Sequence, residues 1–486
     1  MPAVKRIARS RGEFLFLAAL LLLSLQFRLA PMNRGLGQDE LYTAVHFVEG
    51  GSLWNIITSS GAFNNHVGYS LMARFSETLW GHSEWALRLP ALSLGLLGIY
   101  SFFLLSRSIL THSTAMLATV MFALSPPHIV WSVTARGYSA LIFSAIVSSY
   151  LFLKLLRRPN LTDAAVFILV SAFGIYVHLY CVFVSLVQIV FLIAIMRKNS
   201  AEKKLQLQVK EESVRVLALS FLLIIGLAIV CYAPLSRNLL HDLTTRGRGR
   251  FEPVFPLLVV KELSGGDSPV IASLFVAFSM IGYSSLRRTH QLEANYFLWL
   301  LVGPLLLMWT ARPFDLYTRF FVYWLPCFFL FFTAGLGATW QAAFERNAFP
   351  LATVSCIAMI VVLAAIFSSW IVNWNNYLGE EGYREASEAV MKEADDSVAL
   401  CALGGARSVW KYYIHRPLAT PQSIADIQKL SERHKEVRCV YHRASWQSSQ
   451  QTEIAQFLLR NAWWSRVKDV TVFIYPTSTR AVLPSS

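Results

Sequence analysis

The stretch Phe14-Leu-Phe-Leu-Ala-Ala-Leu-Leu-Leu-Leu-Ser-Leu-Gln-Phe-Arg-Leu-Ala30 is followed by Gly35-Leu-Gly-Gln-Asp39-Glu40-Leu-Tyr42. Seventeen residues of this kind, framed by polar flanks, approach the ~20 needed to cross a hydrocarbon layer as a helix. Lys5, Arg6, Arg9 and Arg11 precede the run, which keeps the N-terminus cytoplasmic and sends residue 31 onward to the outside. A cleaved signal peptide is the competing reading. The run is long, ends in Gln26 and Arg28 and has no small-x-small cleavage site, so it is expected to be a retained first span. Asp39 and Glu40 then sit at the outer membrane surface. Asp39 can be a helix cap ahead of Leu41, Val45 and Val48, or a working carboxylate.

The rest of the chain repeats the pattern. Of 486 residues 55% are hydrophobic and only 15% charged, and mean hydropathy is +0.47, which excludes an ordinary soluble globular protein. The net charge of +14 gathers at the ends of apolar runs rather than on a folded basic surface, so it is topological and does not point to nucleic acid. Further spans are expected at 90–105, 113–131, 137–156, 161–178, 181–196, 214–234, 269–286, 295–311, 319–339 and 348–373. The fold class is therefore a polytopic α-helical membrane protein with about 11 transmembrane helices. An odd count places the C-terminus outside. Arg107, Lys154 to Arg158, Arg197 to Arg215, Arg287-Arg288 and Arg346 then fall on cytoplasmic turns.

Two amphipathic stretches in the first outer loop, 39 to 50 and 66 to 80, are expected to be interfacial helices, with Trp54, Trp80 and Trp85 as headgroup anchors. The outer loop from Pro234 to Gly266 breaks the charge rule with Arg237, Arg246, Arg248, Arg250 and Lys261. It is either a solvated loop or miscounted span, or an electropositive lip for a phosphate-bearing ligand. From residue 374 the composition turns soluble. Strand-like runs at 398–403, 437–441 and 470–475 alternate with helical patterns at 380–395, 407–415 and 450–461, predicting a small α/β domain with a mainly parallel sheet. Gly404-Gly405 lacks the further glycines of a nucleotide loop. Cys401 and Cys439 fall in this domain and can pair if it lies outside the cell, whereas Cys181, Cys231, Cys327 and Cys356 read as buried hydrophobes.

Polar groups recur at the outer ends of the spans: His66, Arg88, Arg136, Tyr138, His178, Tyr180, Tyr317 and Arg319. Ionisable groups at membrane depth are costly and so are paired or functional. Arg136 can equally snorkel and His178 can be a hydrogen-bonded bundle histidine. His66 and His178 have no close-spaced third ligand, so a zinc site is not expected.

Taken together, Gln38-Asp39-Glu40-Leu41-Tyr42, Asn65-His66 with Tyr69 and Leu71, and Gly81-His-Ser-Glu-Trp-Ala-Leu-Arg88-Leu-Pro90 resemble the opening of the dolichyl-phosphate-mannose protein mannosyltransferase-like family. Its wider group includes protein O-mannosyltransferases and the lipid A aminoarabinose transferase. The resemblance continues through Ser125-Pro126, Ala135-Arg136-Gly-Tyr138, Tyr176-Val-His178 and Thr318-Arg319-Phe320 into Leu325-Pro326, in order over residues 14 to 340. It implies a C-type integral-membrane glycosyltransferase (1–373, with a soluble extracytoplasmic domain at 374–486) that draws sugar from a polyprenyl-phosphate donor at the outer face. The acidic pair used by the family for catalysis matches Asp39 and Glu40. Two positions depart from the family: Arg319-Phe320 stands where Arg-Tyr is usual, and His66-Val67 where His-Pro is usual.

Sugar transfer from a phosphate ester needs an activated hydroxyl and a neutralised leaving phosphate. A carboxylate supplies the first, at a gain of about 10² to 10⁴, and guanidinium groups supply the second. Neighbouring helical residues point about 100° apart, so Asp39 and Glu40 cannot serve one acceptor equally. Asp39 is expected to be the base and Glu40 its support. Arg319, Arg136, Arg246 and Arg248 are the expected phosphate ligands, and His66, Tyr138, His178, Tyr317 and Arg88 the substrate contacts. The acceptor is a lipid, glycan or protein. No cofactor is demanded; the acidic pair with His66 would hold a divalent cation weakly or not at all. A transporter or flippase of lipid-linked saccharide is the alternative, as is an assembly protein whose outer domain binds a partner. Transporter folds carry internal repeats, and none is evident here.

Overall fold

Leu325-Pro-Cys-Phe-Phe-Leu-Phe-Phe332 is apolar on every face, the composition of a helix surrounded by protein rather than lying at an edge. In the computed structural model of the chain, 89% of the most apolar window within Thr318–Phe344 is buried, against 28% for Arg11–Met32, so the former runs through the bundle and the latter along its outside. The structure describes residues 11–49, 52–59, 64–201, 210–245, 249, 252–265, 268–311, 316–345, 349–374, 379, 381–403, 407–442 and 449–475.

Among the described residues the helices are α1 (Arg11–Met32), α2 (Gln38–Thr43), α3 (Leu53–Thr58), α4 (Val67–Trp80), α5 (Glu84–Ile109), α6 (His112–Leu124), α7 (Pro126–Ser132), α8 (Tyr138–Arg157) and α9 (Leu161–Val177). They continue as α10 (Cys181–Ala201), α11 (Glu211–Tyr232), α12 (Ser236–Thr245), α13 (Phe255–Ser264), α14 (Pro269–Thr289), α15 (Gln291–Ala311), α16 (Leu325–Glu345) and α17 (Phe349–Val372). Among the described residues seven helical spans are long and apolar enough to cross a membrane, or eight if α6 and α7, bent by 55° at Ser125-Pro126, count as one. The bend has a local cause, since a proline restricts the residue before it to extended backbone, and Ser125 sits at φ −66°, ψ 133°. Three shorter apolar helices, Leu161–Val177, Cys181–Arg197 and Ile357–Val372, accompany them.

The chain folds into two compact units. One comprises residues 1–31, 57–72 and 88–378; the other comprises 32–56, 73–87 and 379–486. In the first, ionic groups on α1 are paired inside the bundle. Arg28, fully buried, donates to Ser132 Oγ (2.7 Å), the Ser24 carbonyl (2.8 Å) and the Ala123 carbonyl (3.0 Å), and meets His128 Nδ1 at 2.9 Å. Glu13, at the opposite end of α1, accepts from Arg107 at 3.1 Å. Helices α14 and α16 touch through glycine: a side chain at Gly282 would overlap the Phe331 carbonyl, and one at Gly335 the Phe278 carbonyl. In a membrane such small-residue contacts let backbones approach and supply the packing that apolar burial cannot.

The second unit is built on a five-stranded sheet: β1 (Val398–Leu403), β2 (Leu418–Ala419), β3 (Glu436–His442), β4 (Trp463–Val467) and β5 (Val470–Tyr475), in the order β2-β1-β3-β5-β4. β1 pairs in parallel with β2 and β3, whereas β3–β5 and β4–β5 are antiparallel. The sheet is thus mixed rather than mainly parallel, because β4 and β5 form a hairpin turning at Lys468, which adopts φ +55°. Cys401 and Cys439 face each other in register on β1 and β3 and form a disulfide. Gly404 and Gly405 lie outside the described residues.

Replacing Gly335 by leucine is expected to lower stability by about 3 kcal/mol or more, since backbone rather than a flexible side chain blocks the new atoms. A thermal melt of the purified protein checks this, with Gly226→Leu, where a Cβ meets nothing, as the control.

Candidate functional site

Helix α2 starts at Gln38 and passes into a π-helical turn, Ala44–Val48, closed by the Glu49 N–H donating to the Ala44 carbonyl at 2.8 Å. Its first turn carries the acidic pair. Glu40 is buried and folds back to accept the Gly37 N–H at 3.0 Å, an N-terminal cap. Asp39, half-buried, points about 100° away from it. The segment leading into the helix is fastened by residues far along the chain within the same unit. Arg384 donates to the Asn33 carbonyl (2.8 Å) and to Glu84 (3.1 Å), the Tyr413 hydroxyl accepts the Leu36 N–H (2.8 Å) and donates to Glu84 (3.2 Å), and Glu381 accepts the Gln38 N–H (3.0 Å).

Glu381 makes the acidic pair a triad. Burial, with the carboxylates of Asp39 and Glu40 beside it, pushes its pKa up to about 7 against the opposing effect of the Gln38 N–H. The ring of His442 lies with Nε2 3.7 Å from Glu381 and stacks on Tyr383 at 5.0 Å. The sequence reading missed Glu381, yet its signal resembles that of Asp39-Glu40: adjacent carboxylates, Glu380-Glu381, just past an apolar run. Among the described residues, no group of three or more His, Cys, Asp or Glu is placed to hold a metal ion.

The first unit gathers the basic set. Arg136 donates to the Asn64 carbonyl (3.0 Å) and to Asn64 Oδ1 (2.8 Å), and lies 3.5 Å from His66 Nε2. His66 Nδ1 accepts the Gly137 N–H at 2.8 Å. Burial, then Arg136, His178 and Arg319 in turn, hold the His66 imidazole well below its ordinary pKa, so it is neutral with its proton on Nε2. That N–H and the Arg136 guanidinium are both donors and cannot satisfy one another. The His178 ring lies 4.4 Å from that of His66; its Nδ1 accepts the Tyr180 N–H at 3.3 Å, which again leaves the proton on Nε2. His178 Nε2 is buried and has no hydrogen-bond partner among the described residues. The His66 and His178 rings therefore both present N–H donors, with the Arg136 guanidinium beside them.

The remaining expected residues fall as follows. The Tyr138 ring packs 5.4 Å from His66 and 5.0 Å from His178. Arg319 lies over the Tyr317 ring at 4.6 Å, and Phe320 stacks on Tyr180 at 4.5 Å, an apolar contact where a tyrosine would bring a hydroxyl. Arg88 is fully buried and donates to the Pro31 carbonyl at 3.2 Å, a fastening of α5 to the end of α1. Arg246 and Arg248 lie outside the described residues. Asn64, which orients Arg136, was not anticipated; nothing in its neighbours Asn65 and His66 distinguishes it by sequence.

Residues 67–233 match the family described as dolichyl-phosphate-mannose-protein mannosyltransferase. No curated protein matches the sequence significantly. Among solved structures the chain is similar to ArnT from Cupriavidus metallidurans in the apo state, with a TM-score of 0.60 and 12% identity over 96% of this chain and 99% of that one. The same protein bound to undecaprenyl phosphate gives a TM-score of 0.59 at 12% identity, over 97% and 99%. The archaeal oligosaccharyltransferase AglB from Archaeoglobus fulgidus, in complex with an inhibitory peptide and a dolichol-phosphate, gives 0.57 at 11% identity, over 88% and 69%. At these identities the likeness is one of fold.

Glu381 titrates with its folded-state pKa raised from 4.5 to about 7, so its contribution is fully stabilising below pH 4.5 and is lost as pH climbs through 7. Glu381→Gln has no such loss. The variant's melting temperature is expected to gain on that of the unaltered protein between pH 5 and 7 and to hold a constant lead above. A lead independent of pH would mean Glu381 is ordinary.

Proposed function

We infer that the chain is a membrane glycosyltransferase of the dolichyl-phosphate-mannose-protein mannosyltransferase-like family, moving a sugar from a polyprenyl-phosphate donor to an acceptor hydroxyl at the extracytoplasmic face. The observation that carries this reading is the pair of buried imidazole N–H donors of His66 and His178 beside the Arg136 guanidinium, with His178 Nε2 lacking a partner among the described residues. A phosphate offers three or four oxygens to such donors, and charge-assisted hydrogen bonds to it are roughly twice as strong as neutral ones. The family match over residues 67–233 covers Arg136 and His178, and two of the similar folds are complexes with undecaprenyl phosphate and dolichol-phosphate.

In this mechanism Arg136 and Arg319 balance the charge on the leaving phosphate, while the imidazole N–H groups of His66 and His178 bond its oxygens. Tyr138 and Tyr317 wall the sugar. Asp39 takes the proton of the acceptor hydroxyl as it attacks the anomeric carbon, and the bond to the phosphate oxygen breaks on the opposite face, which inverts the centre. Glu40, capping its own helix, fixes the direction of Asp39. The topology that suits this chemistry has eleven spans, with the bent pair and the three shorter helices counted, the N-terminus cytoplasmic, and the sheet domain outside the inner membrane of a cell envelope.

The test uses the full chain in lipid nanodiscs with a polyprenyl-phosphate-linked sugar, following release of sugar from lipid. Asp39→Asn is expected to cut the rate by about 10² to 10⁴ while lipid-phosphate binding stays within about twofold. His66→Phe and Arg136→Gln are expected to weaken that binding at least about tenfold, the cost of a charged hydrogen bond. Full turnover in Asp39→Asn, or lipid carried across the membrane without any transfer, would overturn the reading.

A further inference from the structure

A second polar cavity lies wholly within the unit that carries the sheet, away from the acidic pair. Helix α4 ends at Gly81, whose φ of +84° suits glycine and costs other residues about 1 to 2 kcal/mol. That left-handed turn swings His82 back against α4. Its Nδ1 lies 3.1 Å from Glu77 and its Nε2 3.2 Å from Glu49, just past the π-helical turn. Both ring nitrogens face carboxylates, so both donate, and the Glu77 bond above all raises the imidazole's pKa. The ring also packs on Tyr412 at 4.6 Å between centroids. His82 is thereby a fixed cation that occupies two carboxylate oxygens and leaves the others.

Around this clamp stand Arg74, whose guanidinium reaches the Val48 carbonyl at 3.3 Å, and Thr78 from α4, with Lys411 and His415 arriving from the C-terminal part of the chain. The cavity they enclose has about 460 Å³, within the ~300 to 1,000 Å³ of small-molecule sites. Every lining side chain is polar or charged. Such a lining does not suit an acyl chain or an apolar peptide segment. It suits a polyol, whose hydroxyls donate to Glu49 and Glu77. The charge balance adds a second requirement: Glu49 and Glu77 stand against His82, Arg74 and Lys411, which leaves one positive charge in excess.

We propose that this cavity binds a saccharide carrying an anionic substituent, phosphate or carboxylate, and serves as a remote recognition subsite for the acceptor. Asp39 and Glu49 lie ten positions apart along one continuous helical segment, about 15 Å at 1.5 Å per residue. An acceptor with its reacting hydroxyl at Asp39 would therefore meet this cavity two or so sugar rings away, which makes the class of acceptor an acidic glycan or glycolipid rather than a bare hydroxyamino acid. This role rests on the glycosyltransferase reading, but the binding itself does not.

The experiment is titration of the full chain in nanodiscs, without lipid donor, with glucose 6-phosphate, glucuronate, glucose and inorganic phosphate, read by calorimetry or saturation-transfer NMR. One or both anionic sugars are expected to bind at least tenfold tighter than glucose and than inorganic phosphate. Arg74→Gln and Lys411→Gln are each expected to weaken that binding at least tenfold, and Asp39→Asn to leave it unchanged. If only one anionic sugar binds, the proposal stands and the substituent is identified. Equal binding of glucose, equal binding of inorganic phosphate, no binding, or indifference to both substitutions each overturns it. Because the readout needs no transfer, loss of turnover in Asp39→Asn and loss of sugar binding in Lys411→Gln are separate failures.

Discussion

The acidic pair depends on hydrogen bonds made by residues more than three hundred positions later. A six-residue helix is far below the length at which helices hold themselves in water, because the nucleus costs more than one turn returns. Helix α2 persists because its leading segment is fastened from outside: Arg384 to the Asn33 carbonyl, Tyr413 to the Leu36 N–H, Glu381 to the Gln38 N–H. The last satisfies an N–H that a helix start leaves without an intrahelical partner, and the other two hold the segment ahead of it. The C-terminal segment is thus part of what orients Asp39, and a unit drawn from residues 32–56, 73–87 and 379–486 is the result.

That dependence was not legible in the sequence, while the membrane spans were. An apolar run of about twenty residues has one cheap solution in lipid, since a helix alone satisfies its own backbone. The strands were equally legible as short apolar runs at 398–403, 437–441 and 470–475, the second observed as Glu436–His442. Two strands escaped: β2 has two residues, and β4 reads Trp-Trp-Ser-Arg-Val with its tryptophans exposed at a sheet edge. The helix Ile424–Arg433 was missed despite its signal, Ser423 and Asp426 capping one another. Pairing of β3 with β5 rather than a further parallel strand is a matter of tertiary register that no local pattern encodes.

The basic set was half legible. His66, Arg136, Tyr138 and His178 were expected at one membrane level, and they share one cluster because α8 begins directly after Arg136 and α9 ends directly before His178. Their roles within it came only from geometry. Arg88 resembles the others by sequence, yet its guanidinium is committed to the Pro31 carbonyl. Asp39 and Glu40 are likewise equivalent on paper; the Gly37 N–H decides that Glu40 is the cap.

Grouping, rather than energy alone, separates the two histidines from other core residues. A buried donor without an acceptor costs about 1 to 3 kcal/mol, so a bundle under selection for stability alone would pair it or replace it. His128 carries the same cost, since its Nδ1 accepts from Arg28 at 2.9 Å and its buried Nε2 has no partner among the described residues. His66 and His178 turn their accepting nitrogens to the backbone N–H groups of Gly137 and Tyr180, which places their donors together and beside Arg136, where that of His128 stands alone among the described residues. The backbone sets the tautomers, the tautomers set the polarity of the cluster, and a cluster of donors has free energy to recover only when an anion arrives.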